Sequence, residues 1–330
     1  MKGRYDHVLS FVLEHPWNLE RPMLRVVAGI LARRMAGQDV DDAAIAAALV
    51  DRKSLPQPRA GSVAIIPVYG VIAPRMNMFS EFSGGVTYES LSRSLAKAMA
   101  TTDVKTILLD IDSPGGSVAG NAEFAAEVMK ARATKPVIAQ IQYTGASAAY
   151  LIAAACTEIV AAPSARIGSI GTYAILEDLS GALEQLGVKE TFIFAGEGKD
   201  DSNVGAPPSA GLIARTQQSV DLAYDQFVTG VVNGRGKGTT PERVRSEWKA
   251  FVYGSAKALS IGMIDSIATL NDTLARVLSA SPDAADRRAA LTLSTTLATL
   301  QEPSPATSQE LASDFAWQNT VDRNLFELDI

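Results

Sequence analysis

Between residue 62 and about residue 200, short apolar stretches alternate with amphipathic ones. Continuous runs of Val, Ile and Leu predict buried strands, and apolar residues spaced by three and four predict helices. The predicted strands lie within residues 62–72, 105–116, 135–142, 157–171 and 188–196, where the second ends in a glycine turn and the fourth runs into a loop. The predicted helices cover residues 88–100, 118–132, 146–156 and 176–186. This alternation favours an α/β fold with a largely parallel sheet.

The pattern before residue 62 is different. Apolar residues at helical spacing predict helix over residues 5–35, interrupted at Pro16 and Pro22. A second short helix is predicted over 39–50, and the stretch 54–61 is a linker by its Pro and Gly content. A domain boundary near residue 58 follows.

The pattern after residue 200 is mostly helical. A long helix is predicted over 207–235, and two short helices opened by Pro241 and Ser255 are predicted within 241–264. Residues 279–310 are rich in Ala, Ser, Thr and Pro and predict a flexible tail. The predicted domains are a helical extension at 1–58, an α/β domain at 59–278 and a tail at 279–330.

The composition excludes several classes of protein. Of 330 residues 47% are hydrophobic and the net charge is −6, so a core can form, and no basic stripe for nucleic acid is present. The histidines are His7 and His15 alone, which argues against a Ser-His-Asp triad or a His-rich metal site in the body of the chain. Cys156 is the single cysteine, so no intrachain disulfide can form. A hydrolase with this composition needs a general base other than histidine.

The most apolar stretch, residues 146–162, is interrupted by Glu158. A transmembrane helix needs about 20 apolar residues, so a buried helix is the better interpretation. The first residues lack the apolar core of a secretory signal. We expect a soluble, intracellular protein without a membrane anchor.

Two segments follow predicted strands and could carry chemistry. In Asp110–Gly116 (DIDSPGG), two glycines can expose backbone N–H groups that stabilise an oxyanion, although an ordinary turn has the same pattern. In Tyr143–Tyr150 (YTGASAAY), Ser147 lies near the start of a helix, where it could be a nucleophile or simply the helix N-cap.

A third segment, Ala195–Asp200 (AGEGKD), places Lys199 after a predicted strand. A lysine in a glycine-rich turn is usually solvated. It acts as a general base when burial lowers its pKa, and Ser–Lys pairs are a known nucleophile–base arrangement. The shortage of histidine makes this lysine the natural alternative base.

Together these motifs resemble peptidase family S49, which includes the signal peptide peptidases and the phage prohead proteases of the lambda C type. The family belongs to the ClpP/crotonase superfamily, so the resemblance implies a ClpP/crotonase-like spiral of strand–helix units. It covers roughly residues 62–275 and includes the segment YGSAKALSIGMIDSI.

Carried onto this sequence, the resemblance implies that Ser147 is the nucleophile and Lys199 the general base. It implies an oxyanion hole formed by the backbone N–H groups of Gly116 and Ala148, with Ser169 as a candidate to orient the lysine amine. No metal or other cofactor is expected. The pair Ala148-Ala149 departs from the Gly-Gly that signal peptide peptidases often have, which leaves specificity open.

Within the family, the sequence favours the phage type. The elements HPW at 15–17 and LARR at 31–34 resemble the beginnings of phage prohead proteases. This implies a protease that cuts scaffold, portal or its own tail inside the assembling prohead, in the host cytoplasm. The superfamily resemblance implies that it is a homo-oligomer. The alternatives are a soluble protease of the signal-peptide-peptidase type that degrades cellular peptides, and a catalytically idle assembly scaffold.

Overall fold

The predicted alternation of strands and helices is present in the structure, a computed structural model that describes residues 17–19, 59–75, 85–199, 201, 203–236, 238–281 and 286. The strands are β1 Trp17–Leu19, β2 Arg59–Ala60, β3 Val63–Tyr69, β4 Ile72–Ala73, β5 Val86–Thr87, β6 Thr106–Ser113, β7 Gly115–Ser117, β8 Val137–Ala146, β9 Glu158–Ala161, β10 Arg166–Gly168, β11 Val252–Gly254 and β12 Ser266–Ile267. The helices are α1 Tyr88–Ala100, α2 Asn121–Arg132, α3 Ala148–Ala154, α4 Ser180–Gln185, α5 Ala210–Arg235, α6 Pro241–Arg243, α7 Ser255–Ser260 and α8 Leu270–Ser279. A π-helical turn, Val244–Trp248, continues from α6.

The central sheet of the described residues is mainly parallel. Its order is β11-β10-β8-β6-β3-β2, with β9 beside β8 and β12 beside β9. The pairs β3–β6, β6–β8, β8–β9 and β8–β10 are all parallel. The predicted α/β class with a largely parallel sheet is therefore confirmed. Because the carboxyl ends of β6 and β8 lie at the same edge, the loops that follow them meet there.

A second, smaller sheet lies beside this edge, with the order β1-β7-β4-β5. Strand β4 runs parallel to both β5 and β7, whereas β1 runs antiparallel to β7. Strand β7 follows β6 after a single intervening residue, Pro114. The chain thus passes directly from the central sheet into the small one.

The apolar run of β6 is buried on both of its faces. Ile107, Leu109 and Ile111 belong to the main core, which the helices α1, α2, α3 and α5 help to build. Leu108 points the other way and packs with Leu274 and Leu278 of α8. Burial on both faces is typical of parallel strands and explains why this strand is not an alternating one.

Local sequence signals explain where several helices begin. Helix α1 starts with a capping box in which Thr87 Oγ1 accepts from Ser90 N and Ser90 Oγ accepts from Thr87 N. Thr269 and Asp272 form the same reciprocal pair at the start of α8. These bonds satisfy N–H groups that have no partner within the helix.

The strand predicted over residues 188–196 is wrong. Residues 188–195 form no strand in the structure, and Ile193 and Phe194 are 95% and 51% exposed. The sequence TFIF has the composition of a strand, but a strand also needs a neighbour for its backbone groups. None of the described strands pairs with residues 188–195.

Most of the two predicted flanking segments lies outside the described residues. In the N-terminal segment, the described residues between Pro16 and Pro22 are Trp17–Leu19, which form β1. The helix predicted over 39–50 falls entirely outside. At the other end, α8 runs to Ser279, and Asp286 is buried against Ser62.

Candidate active site

The first two sequence motifs meet at the carboxyl ends of β6 and β8. The pairing of these strands shifts register after Ile111, so that Ser113 lies opposite Gly145. Ser113 Oγ donates to the carbonyl oxygen of Gly70 at 2.6 Å and accepts from the N–H of Gly115 at 3.2 Å. These two bonds hold the turn that leads from β6 to β7. Sequence reasoning did not single out Ser113, although it is the serine of the motif DSPGG.

Gly116 lies where only glycine fits. It pairs with Ile72 of β4, and a Cβ placed on Gly116 would lie 2.0 Å from the Ile72 carbonyl oxygen. That contact is with backbone, which cannot move aside as a flexible side chain can. Strand β7 also packs against α3. Strand β7, which contains Gly116, thus contacts both β4 and the helix that follows Ser147.

Ser147 has an unusual backbone and side chain. Its φ and ψ are 56° and −121°, a region that non-glycine residues avoid, and its N–H donates to the carbonyl oxygen of Gly168 at 2.8 Å. The residue is completely buried, and its hydroxyl has no hydrogen-bond partner among the described residues. A buried hydroxyl without a partner costs about 1–3 kcal/mol, so strain and lost hydrogen bonding coincide at one serine.

The N-cap alternative for Ser147 is wrong as far as the side chain is concerned. Ser147 occupies the N-cap position of α3, but its side chain makes no capping hydrogen bond. Ala148, the first residue of α3, is also fully buried. Its N–H belongs to the first turn, where backbone donors have no acceptor within the helix. The N–H of Ala148 therefore follows Ser147 directly at the start of α3.

Helix α3 is held firmly from its far side. Tyr150 is buried, its hydroxyl donates to the Met263 carbonyl oxygen at 2.8 Å, and its ring meets the edge of Trp248. Cys156, just beyond α3, is 3% exposed and lies in the core, as expected. Burial raises the pKa of the Cys156 thiol, which keeps it protonated and unsuited to act as a nucleophile.

Ser169 is linked to Ser147 by Gly168, which precedes Ser169 in the chain and whose carbonyl oxygen accepts from the Ser147 N–H. Its φ is also 56°, and its N–H donates to the Phe251 carbonyl oxygen at 2.8 Å. Gly168 has φ 132°, and a Cβ there would lie 2.3 Å from the same Phe251 oxygen. Gly168 thus positions both serines, a role that the glycine of the sequence GSIG could have suggested.

Lys199 is not brought to Ser147 within one chain. It lies in an exposed turn, where its own N–H donates to the Gly196 carbonyl oxygen at 3.3 Å. Its amine makes no hydrogen bond with Ser147 or Ser169 in the described structure. The geometry therefore assembles Gly116, Ser147 and Ala148, with Ser169 adjacent. The lysine stays apart from them.

A buried carboxylate lies near the motif but on the other face of the sheet. Asp110 shares the face of β6 that holds Leu108 and accepts a hydrogen bond from the Tyr69 hydroxyl. Burial raises the pKa of Asp110, hydrogen bonds from Tyr69 and Gln142 act to lower it, and the charge of Asp112 raises it further. This carboxylate is hydrogen-bonded to the neighbouring strand β3 through Tyr69.

No group of three or more His, Cys, Asp or Glu side chains in the described residues is arranged to hold a metal ion. No helix in the same residues is long and apolar enough to span a membrane.

The chain is similar to a family of peptidases and to phage proteins. The model for "Peptidase family S49" matches residues 129–281. The head-tail preconnector protein GP5 of Enterobacteria phage P21 is 29% identical over 289 residues, which cover 83% of this chain and 57% of that protein. The capsid assembly protease C of Escherichia phage lambda is 28% identical over 284 residues, or 81% of this chain and 64% of that protein. The chain thus spans less than two thirds of either phage relative.

Other relatives are cellular proteases. A protein of Enterococcus faecium named as a signal peptide peptidase SppA is 31% identical over 212 residues, covering 63% of this chain and 60% of that protein. Among solved structures, a ClpP1 mutant from Listeria monocytogenes aligns with a TM-score of 0.39 and 14% identity, over 63% of this chain and 92% of that one. The predicted kinship with S49 peptidases, phage capsid proteases and SppA is confirmed by these sequence matches.

Proposed function

We propose that this chain, whose residues 129–281 match the model of peptidase family S49, is a serine endopeptidase that uses Ser147 and Lys199 as a dyad. The observation that carries the proposal is the strained, buried and unpartnered hydroxyl of Ser147. Backbone strain of this kind clusters at active sites, and a buried hydroxyl without a hydrogen-bond partner fits a catalytic serine held ready for attack. The neighbouring backbone of Gly116 and the first N–H of α3 support the same role.

In the proposed reaction, the Ser147 hydroxyl attacks the peptide carbonyl carbon while the neutral amine of Lys199 accepts its proton. The carbonyl oxygen becomes an oxyanion that accepts hydrogen bonds from the N–H groups of Gly116 and Ala148. The C–N bond then breaks, and the protonated lysine donates its proton to the leaving amine. Water, deprotonated by the same lysine, hydrolyses the acyl-serine and restores the hydroxyl. Ser169 orients the lysine amine.

The exposed position of Lys199 is the basis for proposing a homo-oligomer. A lysine acts as a general base when burial removes it from water, so the proposed dyad requires the exposed Lys199 to become covered. Lys199 follows an apolar segment, residues 186–194, whose large side chains are exposed. Association of copies through this segment would remove it from water and complete the pocket around Ser147. Large exposed apolar patches commonly mark such interfaces.

The proposed substrates are proteins of an assembling phage capsid. This part of the proposal rests on the two phage relatives, one of them a capsid assembly protease. The enzyme would cut scaffold, portal or its own tail within the prohead, in the host cytoplasm. A protease of the SppA type that degrades cellular peptides is the second candidate, favoured by the match to the Enterococcus faecium protein.

The test compares Ser147→Ala with Ser164→Ala, since Ser164 is an exposed serine outside the site. We expect Ser147→Ala to abolish cleavage of scaffold and of the chain itself while assembly continues, and Ser164→Ala to cleave like the unmodified chain. Mass spectrometry of the chain before and after incubation measures the cuts. Unchanged processing by Ser147→Ala would mean that the site is idle and that the protein acts as a scaffold.

A second pair of variants tests the base. Lys199→Met is expected to lower the cleavage rate by about 10²–10⁴, the usual contribution of a general base. Lys189→Met is the matched control, because Lys189 is an exposed lysine in the same region. Equal losses in both variants, or cleavage by Lys199→Met at the normal rate, would reject Lys199 as the base and leave Ser147 untouched.

A further inference from the structure

The small sheet contains an unexpected strand. β1 runs antiparallel to β7, with Trp17 opposite Ser117, Asn18 opposite Gly116 and Leu19 opposite Gly115. It is the outermost strand of the order β1-β7-β4-β5. A segment of the chain almost one hundred residues before the motif DSPGG therefore lies directly alongside it.

The position of β1 is the one that a peptide substrate needs. If the N–H of Gly116 binds the oxygen of a scissile carbonyl, the substrate backbone has to run next to β7. The β4 side is occupied, because Ile72 of β4 pairs with Gly116 there. The remaining edge of β7 is the one that β1 occupies. Extended peptides bind sheet edges by adding a strand in this manner.

We propose that the strand Trp17–Leu19 is an internal occupant of the substrate-binding edge of β7, and that it holds the protease closed until it leaves. The inference rests on the proposed function, since it takes Gly116 as part of the oxyanion hole. The ligand that replaces β1 is an extended peptide bound antiparallel to Gly115–Ser117. The chain's own segment is one example of such a peptide.

The length of β1 fits an occupant that can be exchanged. The strand has three residues, and its pairing within the described structure is with β7 alone. So short an edge strand is held by few hydrogen bonds, and a longer peptide can compete with it. Removing β1 should then raise the apparent affinity for added peptide, because a larger fraction of molecules has a free edge.

The test measures peptide binding in a chain that cannot cut. In a Ser147→Ala background, a fluorescein-labelled peptide with the sequence of residues 14–22 is titrated against Asn18→Pro and Leu19→Pro. Successive N–H groups of a strand point to opposite sides, so one of the two prolines removes a donor that faces β7. We expect the proline variant that loses the donor facing β7 to bind the peptide about tenfold more tightly than the parent chain. Asn18→Ala and Leu19→Ala, which keep their N–H groups, should bind like the parent chain. Equal binding by all the variants would overturn the inference.

A reversible lock gives an independent readout that does not depend on a proline. Trp17→Cys with Ser117→Cys joins directly opposite residues, whose Cα separation of about 4.5–5.5 Å suits a disulfide. In the Ser147→Ala background, the oxidised form should lose peptide binding and regain it on reduction. Binding by the oxidised form would overturn the inference. Because these measurements need no cleavage, failure of Ser147 as the nucleophile remains a separate result.

Discussion

At the scale of single residues, the site depends on positions where the backbone is forced. Ser147 and Ser169 share φ 56°. The N–H of Ser147 donates to the Gly168 carbonyl oxygen, and the N–H of Ser169 donates to the Phe251 carbonyl oxygen, against which Gly168 packs. The sequence GASAAY identified Ser147 as a candidate, but it could not distinguish a nucleophile from a helix cap. The structure removes the helix-cap alternative, because the hydroxyl makes no capping bond. A sequence records the residue type, whereas strain and missing partners depend on the packing around it.

Gly116→Ala tests the close approach of β4 at this scale. The added methyl group would lie 2.0 Å from the Ile72 oxygen and 2.7 Å from its carbonyl carbon, so one of the two backbones must move. We expect a loss of about 1–3 kcal/mol in the free energy of unfolding, as for overpacked sites. Cleavage should fall with it, because the Gly116 N–H shifts. Urea unfolding and a peptide cleavage assay measure the two effects.

Gly254→Ala is the control for that variant. Gly254 has φ −69° and no heavy atom within 4 Å of the position of an added Cβ, so alanine fits there without strain. Its stability and cleavage rate should match those of the unmodified chain. If both glycine variants behave alike, the contact between β4 and β7 does not define the site.

At the scale of elements, the helices were predictable and the exceptions have a common cause. Helix α1 lies where the spacing of apolar residues places it, because amphipathic spacing depends on the chain alone. Strands depend on partners elsewhere. Residues 188–196 have the apolar pattern of a strand, but no strand of the described chain pairs with them. Trp17–Leu19 is too short to show a pattern, and it is extended because it pairs with β7. Pairing of this kind is decided by tertiary structure, which a local pattern does not contain.

One contact between elements predicts a dependence on pH. Asp286 accepts hydrogen bonds from the Ser62 N–H at 2.8 Å and from the Ser281 hydroxyl at 2.6 Å, so it ties the segment after α8 to the start of β3. Burial acts to raise the pKa of Asp286, but the hydrogen bonds from Ser281 and Ser62 outweigh it and lower the pKa. Its stabilisation is therefore present above the unfolded pKa of about 3.9 and is lost as the pH falls through the lower folded value.

Asp286→Ala should remove this contact. We expect a loss of about 1–3 kcal/mol in unfolding free energy at neutral pH, because Ser62 loses its buried acceptor. The difference from the unmodified chain should shrink as the pH falls below the usual range of aspartate. Chemical unfolding at several pH values measures it, with Asp103→Ala as the control at an exposed aspartate. A difference that does not change with pH would show that the carboxylate charge has no part in the contact.

At the scale of the whole molecule, the candidate nucleophile Ser147 is buried within one chain, whereas the candidate base Lys199 is exposed. Gly116, Ser147 and Ala148 are brought together by the parallel sheet, and this could be anticipated from motifs that follow consecutive strands. The position of Lys199 could not. It lies beyond a segment whose apolar residues remain exposed in a single chain. If another copy of the chain covers these exposed residues, its absence explains both why residues 188–195 form no strand and why Lys199 does not reach Ser147.

Ile193→Asp tests that explanation. Ile193 is 95% exposed, so in a monomer the substitution should change the stability by little, whereas at an interface it would place a charge in an apolar contact. We expect the unmodified chain to form an oligomer by size exclusion with light scattering, and Ile193→Asp to have a lower mass and at least about a tenfold lower cleavage rate. Leu259→Asp, at a 39% exposed position on α7, should keep both properties. If Ile193→Asp retained the mass but lost cleavage, the segment would serve the site within one chain. If it retained both, the interface would lie elsewhere, and Lys199 would have to reach Ser147 by a movement of its own turn.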